Sequence, residues 1–430
     1  MLFLDINDPG FAQKFDAILS RGEESGRDVE QTVLEIISAV RLRGDAAVLE
    51  LTSRFDRLEA ASVQELEVTP AEIEAAFVAV AAEDVAALKL AVERVSRFHE
   101  KQKQQTWIST EEPDIMLGQK VTPLSRVGIY VPGGKASYPS SVIMNAVPAR
   151  VAGVGEIIMV APSPGGEISP HVLVAASLSG VHRVFRIGGA QAVAALAYGT
   201  ATIPRVDKIT GPGNIYVATA KKLVFGQVGI DMIAGPSEIL VINDGSGNPA
   251  HIAADLLSQA EHDELASSIL ITTDRSFAEK VAAEVELQLA QLSREAIARA
   301  SWEKYGAIIV ADTLEKVIAF SNRIAPEHLE LAVADPFAIL SQITNAGAIF
   351  MGHWTPEAAG DYLAGPNHTL PTGGTSRFFS PLSVDDFVKK SSIVYFSKGG
   401  LQRLGADIVR IAGLEGLEAH GRSVTIRQEN

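Results

Sequence analysis

Residues 126–160, RVGIYVPGGKASYPSSVIMNAVPARVAGVGEIIMV, contain the pattern that decides the fold. The stretch opens with a short apolar, β-branched run and passes through a turn that contains two glycines. It continues with an apolar segment of helical length and closes on a second apolar run, EIIMV. A buried strand, a crossover helix and a second buried strand give this pattern in parallel sheets. We therefore predict a β-α-β unit here.

The same alternation of apolar runs and helical segments continues downstream. The following segments carry it: PHVLVAASL, RVFRIG, AQAVAALAYG, KITG and NIYVATAKKLVFG. A second series begins after Gly235-Pro236 and consists of EILVIND, a helix over 249–266, SSILITT, a helix over 275–299, AIIVAD, a helix over 313–324 and AIFMG. Two α/β units with parallel sheets are therefore predicted, with their junction near Gly235-Pro236.

Helical patterns dominate the chain before the first unit and after the second. Residues 28–105 are predicted to be helical, and Thr69-Pro70-Ala71-Glu72 is a strong start signal for a long helix that ends near Gln105. After Ser383 the chain returns to helical character with scattered glycines. We interpret this last stretch as a C-terminal arm.

Composition excludes several classes of protein. The chain has 430 residues, 47% of them hydrophobic, so a globular protein of two or more domains is expected. A net charge of −15 with no offsetting basic run argues against nucleic-acid binding. The first residues lack the pattern of a signal peptide, and no run of uncharged apolar residues is long enough to span a membrane. A cytoplasmic location is expected.

The sequence contains no cysteine. Disulfides and zinc-thiolate sites are therefore excluded, and the composition is consistent with a reducing compartment. Any aldehyde oxidation by this chain cannot pass through a cysteine thiohemiacetal. Water or another side chain must then act as the nucleophile.

Three glycine-rich loops follow predicted strands: Tyr130–Gly134, Ile187–Gln191 and Thr210–Asn214. Ligands bind at the carboxyl ends of strands in open parallel sheets, and glycine lets the backbone approach a phosphate closely. A dinucleotide site is one interpretation. The GxGxxG fingerprint is absent, however, and tight strand–helix turns explain the loops equally well.

Two further places have side chains suited to chemistry. In LSQAEHDEL, residues 257–265, Gln259 and His262 lie three apart on one helix face. They could form half of a metal site, or His262 could belong to a solvated acidic turn. Adjacent Glu327 and His328 act together only in a turn or at a helix end, either as an acid–base pair or as a helix-start carboxylate beside a packing histidine. Asp361 lies in a glycine-flanked loop, where a functional turn is favoured.

Seven motifs in this order resemble the histidinol dehydrogenase family. They are VPGG at 131–134, GPGN at 211–214, GPSE at 235–238, SQAEHD at 258–263, APEHLE at 325–330, GDYLAGPNHTLPT at 360–372 and EGLEAH at 415–420. The resemblance implies a zinc-dependent enzyme that oxidises L-histidinol to L-histidine in two NAD-dependent steps through bound histidinal, the last reactions of histidine biosynthesis.

The resemblance also implies a role for individual residues of this chain. The implied zinc ligands are Gln259, His262, Asp361 and His420. The implied substrate contacts are Ser237, His328 and Glu415, together with the metal ligands. Tyr130, Gln191 and Asn214 are the implied NAD contacts, and Glu327 and His328 are the implied catalytic pair. His368, seven residues after Asp361, is expected close to the metal or the substrate.

The family fold implied by the resemblance is α/β, with two Rossmann-like parallel-sheet domains plus small helical N- and C-terminal pieces. The expected divisions are an N-terminal helical piece over 1–27, a first α/β domain formed by 28–129 and 239–382 that carries zinc and the catalytic residues, a second α/β domain over 130–238 that binds NAD, and a C-terminal arm over 383–430. A homodimer is implied, in which each arm reaches the active site of the partner subunit.

Other functions remain open at this point. A zinc hydrolase could use Glu327 as its base, although it would need no dinucleotide loops. A dehydrogenase with the same scaffold could act on another amino alcohol or on a sulfonated alcohol. A zinc-stabilised binding protein would turn nothing over. The presence of Glu415 and of every implied zinc ligand favours histidinol.

Overall fold

The computed structural model describes residues 1–20, 27–133 and 138–429. Gly134 of the VPGG motif and residues 21–26 of the expected N-terminal piece lie outside these ranges. Two compact units are present. The larger comprises Met1–Gln102 with Ser125–Phe387, and the smaller comprises Lys103–Leu124 with Val388–Asn430.

The strands are β1 (Leu2–Asp5), β2 (Trp107–Ser109), β3 (Ile115–Pro123), β4 (Arg126–Tyr130), β5 (Glu156–Val160), β6 (Arg183–Phe185), β7 (Lys208–Thr210), β8 (Gly229–Ile230), β9 (Glu238–Asn243), β10 (Ser267–Thr272), β11 (Ala307–Val310), β12 (His328–Ala332), β13 (Ala348–Met351) and β14 (Val388–Phe396). The helices are α1 (Phe11–Leu19), α2 (Arg27–Arg43), α3 (Asp45–Asp56), α4 (Pro70–Ala79), α5 (Ala82–Glu100), α6 (Pro139–Ala152), α7 (Pro170–Ser179), α8 (Gly189–Tyr198), α9 (Ile215–Val224), α10 (Pro249–Ala260), α11 (Arg275–Leu289), α12 (Glu295–Tyr305), α13 (Leu314–Ile324), α14 (Pro336–Leu340), α15 (Glu357–Ala359), α16 (Lys398–Leu414) and α17 (Glu418–Gln428).

The larger unit contains two parallel sheets. The five-stranded sheet has the order β6-β5-β4-β7-β8, and the six-stranded sheet has the order β1-β11-β10-β9-β12-β13. In both sheets the first strand of the β-α series lies centrally, the next two strands extend to one side, and the fourth and fifth extend to the other. This is the Rossmann arrangement, with its switch point beside the first strand. The predicted α/β fold with two Rossmann-like sheets is confirmed.

Helices bury both sheets. Residues 190–197 of α8 are all buried, which matches the alanine-rich, uniformly apolar sequence of that helix. Helices α2 and α3 contribute to the same apolar core as α8, α9 and the five-stranded sheet. Helices α2 and α3 therefore pack on the five-stranded sheet, whereas we expected residues 28–129 to belong with 239–382. Helical periodicity identifies an apolar face but does not identify its partner.

Several elements differ from the sequence-based expectation. Leu2–Asp5 is an edge strand paired with β11, within the piece expected to be helical. The capping box of Thr69 and Glu72 is present, but the expected long helix is interrupted because Val80 is extended. The expected helix over 275–299 is also divided, between α11 and α12. Strand β12 was not predicted, because buried Glu330 breaks the apolar run on which a strand prediction depends.

The smaller unit combines three strands with two helices. Strands β14, β3 and β2 form an antiparallel sheet in that order, and α16 packs against α17. The C-terminal residues were expected to be helical, so β14 is a strand that sequence reasoning missed. Among the described residues, no helix combines the length and apolar character needed to cross a membrane.

Candidate active site

Glu327 and His328 lie where α13 turns into β12. Ala325 ends α13 in the left-handed conformation with φ of 53°, and His328 is the first residue of β12. The strand pairs His328 with Ile239 of β9 and with Ala348 of β13. The pair therefore lies at the amino ends of the strands of the six-stranded sheet. Glu327 directly precedes β12 and His328 begins it, whereas we expected both in a turn or at a helix end.

Backbone contacts fix the tautomer of His328. Its Nδ1 lies 3.0 Å from the carbonyl oxygen of Glu238, which can only accept, so Nδ1 carries the proton. Its Nε2 is buried and has no hydrogen-bond partner among the described residues. Burial lowers the pKa of His328 to about 3, so the imidazole is neutral near pH 7. An unprotonated ring nitrogen is thus available to accept a proton.

The environment shifts the pKa of Glu327 in the opposite direction. Burial raises it well above its ordinary value, and the charges of Glu238 and Asp361 act in the same sense. The backbone N–H of Glu238 donates to Oε2 of Glu327 at 2.8 Å and partly opposes the rise. A carboxylate with a raised pKa is a stronger base than one in water.

A group of possible metal ligands lies beside this pair. Ligand atoms of His262, Glu357 and Asp361 all lie within 4.8 Å of one another. Asp361 lies in a π-helical turn over Gly360–Ala364 that continues α15, and such turns are frequent at functional sites. Nε2 of His328 is 3.8 Å from Oδ1 of Asp361, so the acid–base pair and the ligand group share one site.

Gln259 extends this group from the last turn of α10. Its side chain is buried, and the amide orientation that turns the nitrogen toward the carboxylate places that nitrogen 2.7 Å from Oε1 of Glu357. With that nitrogen donating to Glu357, the oxygen is the one amide atom of Gln259 that can act as a metal ligand. Nitrogen, carboxylate and amide oxygen donors together suit Zn²⁺. The residues present therefore fit the metal that the resemblance implies.

A cavity of about 220 Å³ adjoins Asp361, and its lining includes His368 and Phe350. Burial raises the pKa of Asp361 to about 6 and lowers that of His368 to about 4. His368 thus lies in the site, where the sequence placed it only approximately. On the other side of the loop, the Asn367 amide donates to the carbonyl oxygen of Met144 in α6 at 2.6 Å. This loop therefore joins the site to the helices around the five-stranded sheet.

The glycine-rich loops lie at the carboxyl ends of strands in the five-stranded sheet. Tyr130 ends β4, and its hydroxyl accepts the N–H of Gly189 at 3.1 Å. Asn214 caps α9, accepting the N–H groups of Tyr216 and Val217. The side chain of Gln191 is 1% exposed, and neither polar atom of its amide has a partner among the described residues. Buried amides are normally hydrogen-bonded, so this one is suited to a ligand.

The remaining implied residues are distributed between the two units. Ser237 directly precedes β9 in the larger unit. Glu415 follows α16 and His420 lies in α17, both in the smaller unit. Sequence reasoning missed Glu357 and the backbone of Glu238. Glu357 lies four residues before Asp361, a helical spacing that could have identified it.

Two parallel sheets of Rossmann order, together with a buried acid–base pair beside a group of metal-type ligands, define an α/β oxidoreductase. The sequence model of the histidinol dehydrogenase family matches residues 19–428. The histidinol dehydrogenase of Geobacter sulfurreducens is 82% identical over 427 residues, covering 99% of this chain and 100% of the relative. That of Syntrophotalea carbinolica is 68% identical over 427 residues, covering 99% of each chain.

A solved structure extends this similarity to the fold. The crystal structure of histidinol dehydrogenase from Elizabethkingia anophelis matches with a TM-score of 0.94 and 38% sequence identity. The match covers 100% of this chain and 98% of that one. The chain therefore belongs to the histidinol dehydrogenase family.

Proposed function

We propose that this chain catalyses the four-electron oxidation of L-histidinol to L-histidine, the last steps of histidine biosynthesis, with two NAD⁺ as acceptors. The single observation that carries the proposal is the buried Glu327–His328 pair beside the ligand group of His262 and Asp361. Family membership supports the choice of substrate. A neutral histidine and a carboxylate of raised pKa together supply the two bases that a two-step oxidation requires.

Gln259, His262, Asp361 and His420 are the proposed ligands of one Zn²⁺ per subunit. The donor chemistry of the first three, and their convergence on Glu357, support this assignment. When bound, the ion would hold the imidazole and amino groups of the substrate and so position the carbinol carbon for hydride transfer. Ser237 and Glu415 are the proposed further substrate contacts.

In the first step, Nε2 of His328 takes the hydroxyl proton of histidinol while hydride passes to NAD⁺. Nδ1 stays hydrogen-bonded to the carbonyl oxygen of Glu238, which fixes the orientation of the ring. The burial that keeps the ring neutral leaves Nε2 able to accept that proton. The products are histidinal and NADH, with one proton on His328.

In the second step, Glu327 removes a proton from water as the water oxygen bonds to the aldehyde carbon. The resulting hydrate anion would then lose hydride to a second NAD⁺, which gives the carboxylic acid, and this acid releases its proton to solvent to become the carboxylate. Burial raises the pKa of Glu327, which strengthens it as the base for this addition. Because the chain contains no cysteine, water addition replaces the thiol route.

The proposed NAD contacts are Tyr130, Gln191 and Asn214. The unpartnered amide of Gln191 and the glycine backbone beside it support this assignment. Residues 130–238 would thus bind NAD, while 239–382 would supply the zinc ligands and catalytic pair. We further propose a cytoplasmic homodimer in which the C-terminal arm, with Glu415 and His420, completes the site of the partner subunit.

The test is the amount of NADH formed per histidinol consumed, before and after zinc is removed and restored. Two NADH per histidinol, lost with the metal and regained with it, are expected. One NADH would contradict the aldehyde step and the role of Glu327. No NADH from histidinol, with turnover of another amino or sulfonated alcohol, would instead support the alternative substrate. Metal-dependent hydrolysis without NADH would support a zinc hydrolase.

A further inference from the structure

An ion pair is buried beneath the glycine-rich loop that ends at Asn214. Nζ of Lys221, in α9, lies 2.5 Å from Oδ1 of Asp231, and the two side chains are 3% and 1% exposed. Removing two charges from water carries a penalty of several kcal/mol per ion, which their mutual attraction offsets only when other hydrogen bonds help. A buried ion pair is often no more stabilising than apolar side chains of the same size. Its role is therefore better inferred from the other groups that the two side chains bind.

Both members of the pair bind the same residue of the loop. Oδ2 of Asp231 accepts the backbone N–H of Gly211 at 2.8 Å, and Nζ of Lys221 donates to the carbonyl oxygen of Gly211 at 2.9 Å. Asp231 also accepts the N–H of Met232 at 2.7 Å. The peptide groups before and after Gly211 are therefore each held by a charged hydrogen bond, which is stronger than a neutral one.

The backbone at Gly211 occupies a position that only glycine permits. Its φ is 110°, and a Cβ placed there would lie 2.1 Å from the carbonyl oxygen of Tyr130. The loop thus lies directly against the end of β4, beside the switch point of the five-stranded sheet. The Tyr130 hydroxyl in turn accepts the N–H of Gly189, at the start of the helix that carries Gln191. Fixing Gly211 therefore fixes one of three loops that meet at Tyr130.

We propose that Lys221 and Asp231 are positioning residues for the nicotinamide dinucleotide. They hold residues 210–214 against β4, so that the loop and Asn214 are preorganised for the cofactor. This inference rests on the proposed NAD site. It adds two residues that do not touch the cofactor, and it predicts that cofactor affinity depends on them more than folding does.

The decisive variant replaces both charges at once. Lys221→Met alone would leave Asp231 buried and unpaired, so it could fail to fold for an unrelated reason. Lys221→Met combined with Asp231→Asn keeps both volumes and removes the charges together, a change that is often tolerated. We expect the melting temperature of the double variant to stay within a few degrees of wild type. The dissociation constant for NADH, measured by fluorescence titration, is expected to rise about tenfold or more.

Steady-state kinetics provide a second readout. We expect the KM for NAD⁺ to rise together with the NADH dissociation constant, while the KM for histidinol changes less than about twofold. A general loosening of the fold would alter both constants. Unchanged NADH affinity in a stable double variant would overturn the inference.

Asn214 allows the coupling to be measured directly. Asn214→Ser keeps a capping oxygen for α9 but loses the amide N–H donors. We expect this change to weaken NADH binding several-fold in wild type and less than about twofold in the double variant, where the loop is already displaced. Equal weakening in the two backgrounds would contradict the positioning role.

The matched control is the ion pair of Arg183 and Glu67 in the same larger unit. Its two atoms are 2.7 Å apart, and Arg183 begins β6 at the opposite end of the sheet from the loops. Arg183→Met with Glu67→Gln should leave NADH affinity unchanged. If wild type itself fails to bind NADH, the proposed function is contradicted. If wild type and the double variant bind NADH equally well, only the positioning role of Lys221 and Asp231 is contradicted.

Discussion

Burial shifts the pKa values of two adjacent side chains in opposite directions. Glu327 and His328 are 6% and 4% exposed, and burial disfavours the charged form of each. The pKa of the carboxyl group therefore rises and that of the imidazole falls to about 3. Such divergent shifts are how one site supplies distinct acid–base roles. In the mechanism we propose, His328 serves the alcohol step and Glu327 the hydration of the aldehyde.

Glu327→Gln should separate the two oxidation steps. The amide keeps the size of the side chain but cannot remove a proton from water. We expect oxidation of histidinal to fall by about 10²–10⁴-fold, the usual contribution of a general base, while the histidinol step falls much less. Single-turnover NADH formation, measured separately from each substrate, checks this. Equal slowing of both steps would exclude the assigned role.

Glu357→Gln should weaken metal binding without removing a proposed ligand. In the amide orientation that satisfies both residues, Glu357 accepts the amide N–H of Gln259 and so leaves the oxygen of that amide as the proposed ligand. A glutamine can present an N–H there instead and lets the Gln259 amide rotate. Loss of such orienting contacts typically lowers metal affinity 10–100-fold. Chelator competition measures this without turnover, and Glu284→Gln, on α11, is the control. Unchanged zinc affinity would make Glu357 irrelevant to the metal.

Asp56 provides a pH prediction away from the metal ligands. It is 7% exposed at the end of α3, and burial raises its pKa although the Gly188 N–H opposes the rise. Because the folded-state pKa lies above the unfolded one, the contribution of Asp56 to stability is complete below the unfolded pKa and declines as the pH rises through the folded pKa. Asp56→Asn has no charge to bury. The melting temperature of this variant minus that of wild type should therefore increase as the pH rises from 4 to 7.

The control for Asp56 is Asp312, a carboxyl group whose pKa is shifted in the opposite direction. A hydrogen bond from Lys316 lowers the pKa of Asp312, so its stabilising contribution is lost only as the pH falls below the ordinary value of 3.8, and the Asp312→Asn difference should stay nearly constant between pH 4 and pH 7. Melting curves of both variants at several pH values provide the test. An Asp56→Asn difference that does not vary with pH would mean that the carboxyl group is not linked to folding in this way.

At the level of single residues, the sequence pointed to candidate site residues but not to their environment. The spacing of Gln259 and His262 predicted a shared helix face, but α10 ends at Ala260, before His262. Adjacent Glu327 and His328 were expected in a turn or at a helix end, and His328 instead begins β12. The helical spacing of Glu357 and Asp361 is visible in the sequence, but the contact of Glu357 with Gln259 is not, because the two residues are distant in the chain. Burial depends on such contacts too, so the pKa shifts could not be predicted from local pattern.

At the scale of elements, alternating apolar strands and helices predicted both parallel sheets. The pattern could not predict which elements pack together. Strand β1 joins the six-stranded sheet, whose next strand in the chain is β9. Helix α2 packs on the five-stranded sheet, which begins about eighty residues after the helix ends. Strand β12 was missed because its Glu330 carboxylate accepts the N–H of Glu357 inside the protein. A buried charge with a partner from another element looks like a surface residue in the sequence.

Gly211→Ala tests the close packing of the loop after β7 against β4. An added Cβ would lie 2.1 Å from the Tyr130 carbonyl oxygen, so the loop must move. We expect a loss of about 1–3 kcal/mol in stability, as for overpacked sites, with NADH affinity lowered about tenfold. Gly226→Ala is the control, since its φ of 96° is also left-handed but no atom lies within 4 Å of the added carbon. Equal effects of the two changes would attribute the loss to φ strain alone.

At the scale of the whole molecule, the proposed zinc ligands come from both compact units. Gln259, His262 and Asp361 belong to the larger unit, while His420 belongs to the smaller. If the arm completes the site of the partner subunit, then neither Asp361→Asn nor His420→Ala homodimers contain a complete site. Each purified variant should therefore lose tightly bound zinc and nearly all activity.

Mixing the two variants distinguishes a shared site from a self-contained one. In a heterodimer with shared sites, one site combines the intact Asp361 of one subunit with the intact His420 of the other, and the second site carries both substitutions. Random exchange makes about half of the dimers mixed, so about a quarter of wild-type activity and of bound zinc should return. Separate folding of each variant followed by mixing without exchange is the control. If activity stays absent after exchange, each subunit must supply its own His420, and the arm would not cross between subunits.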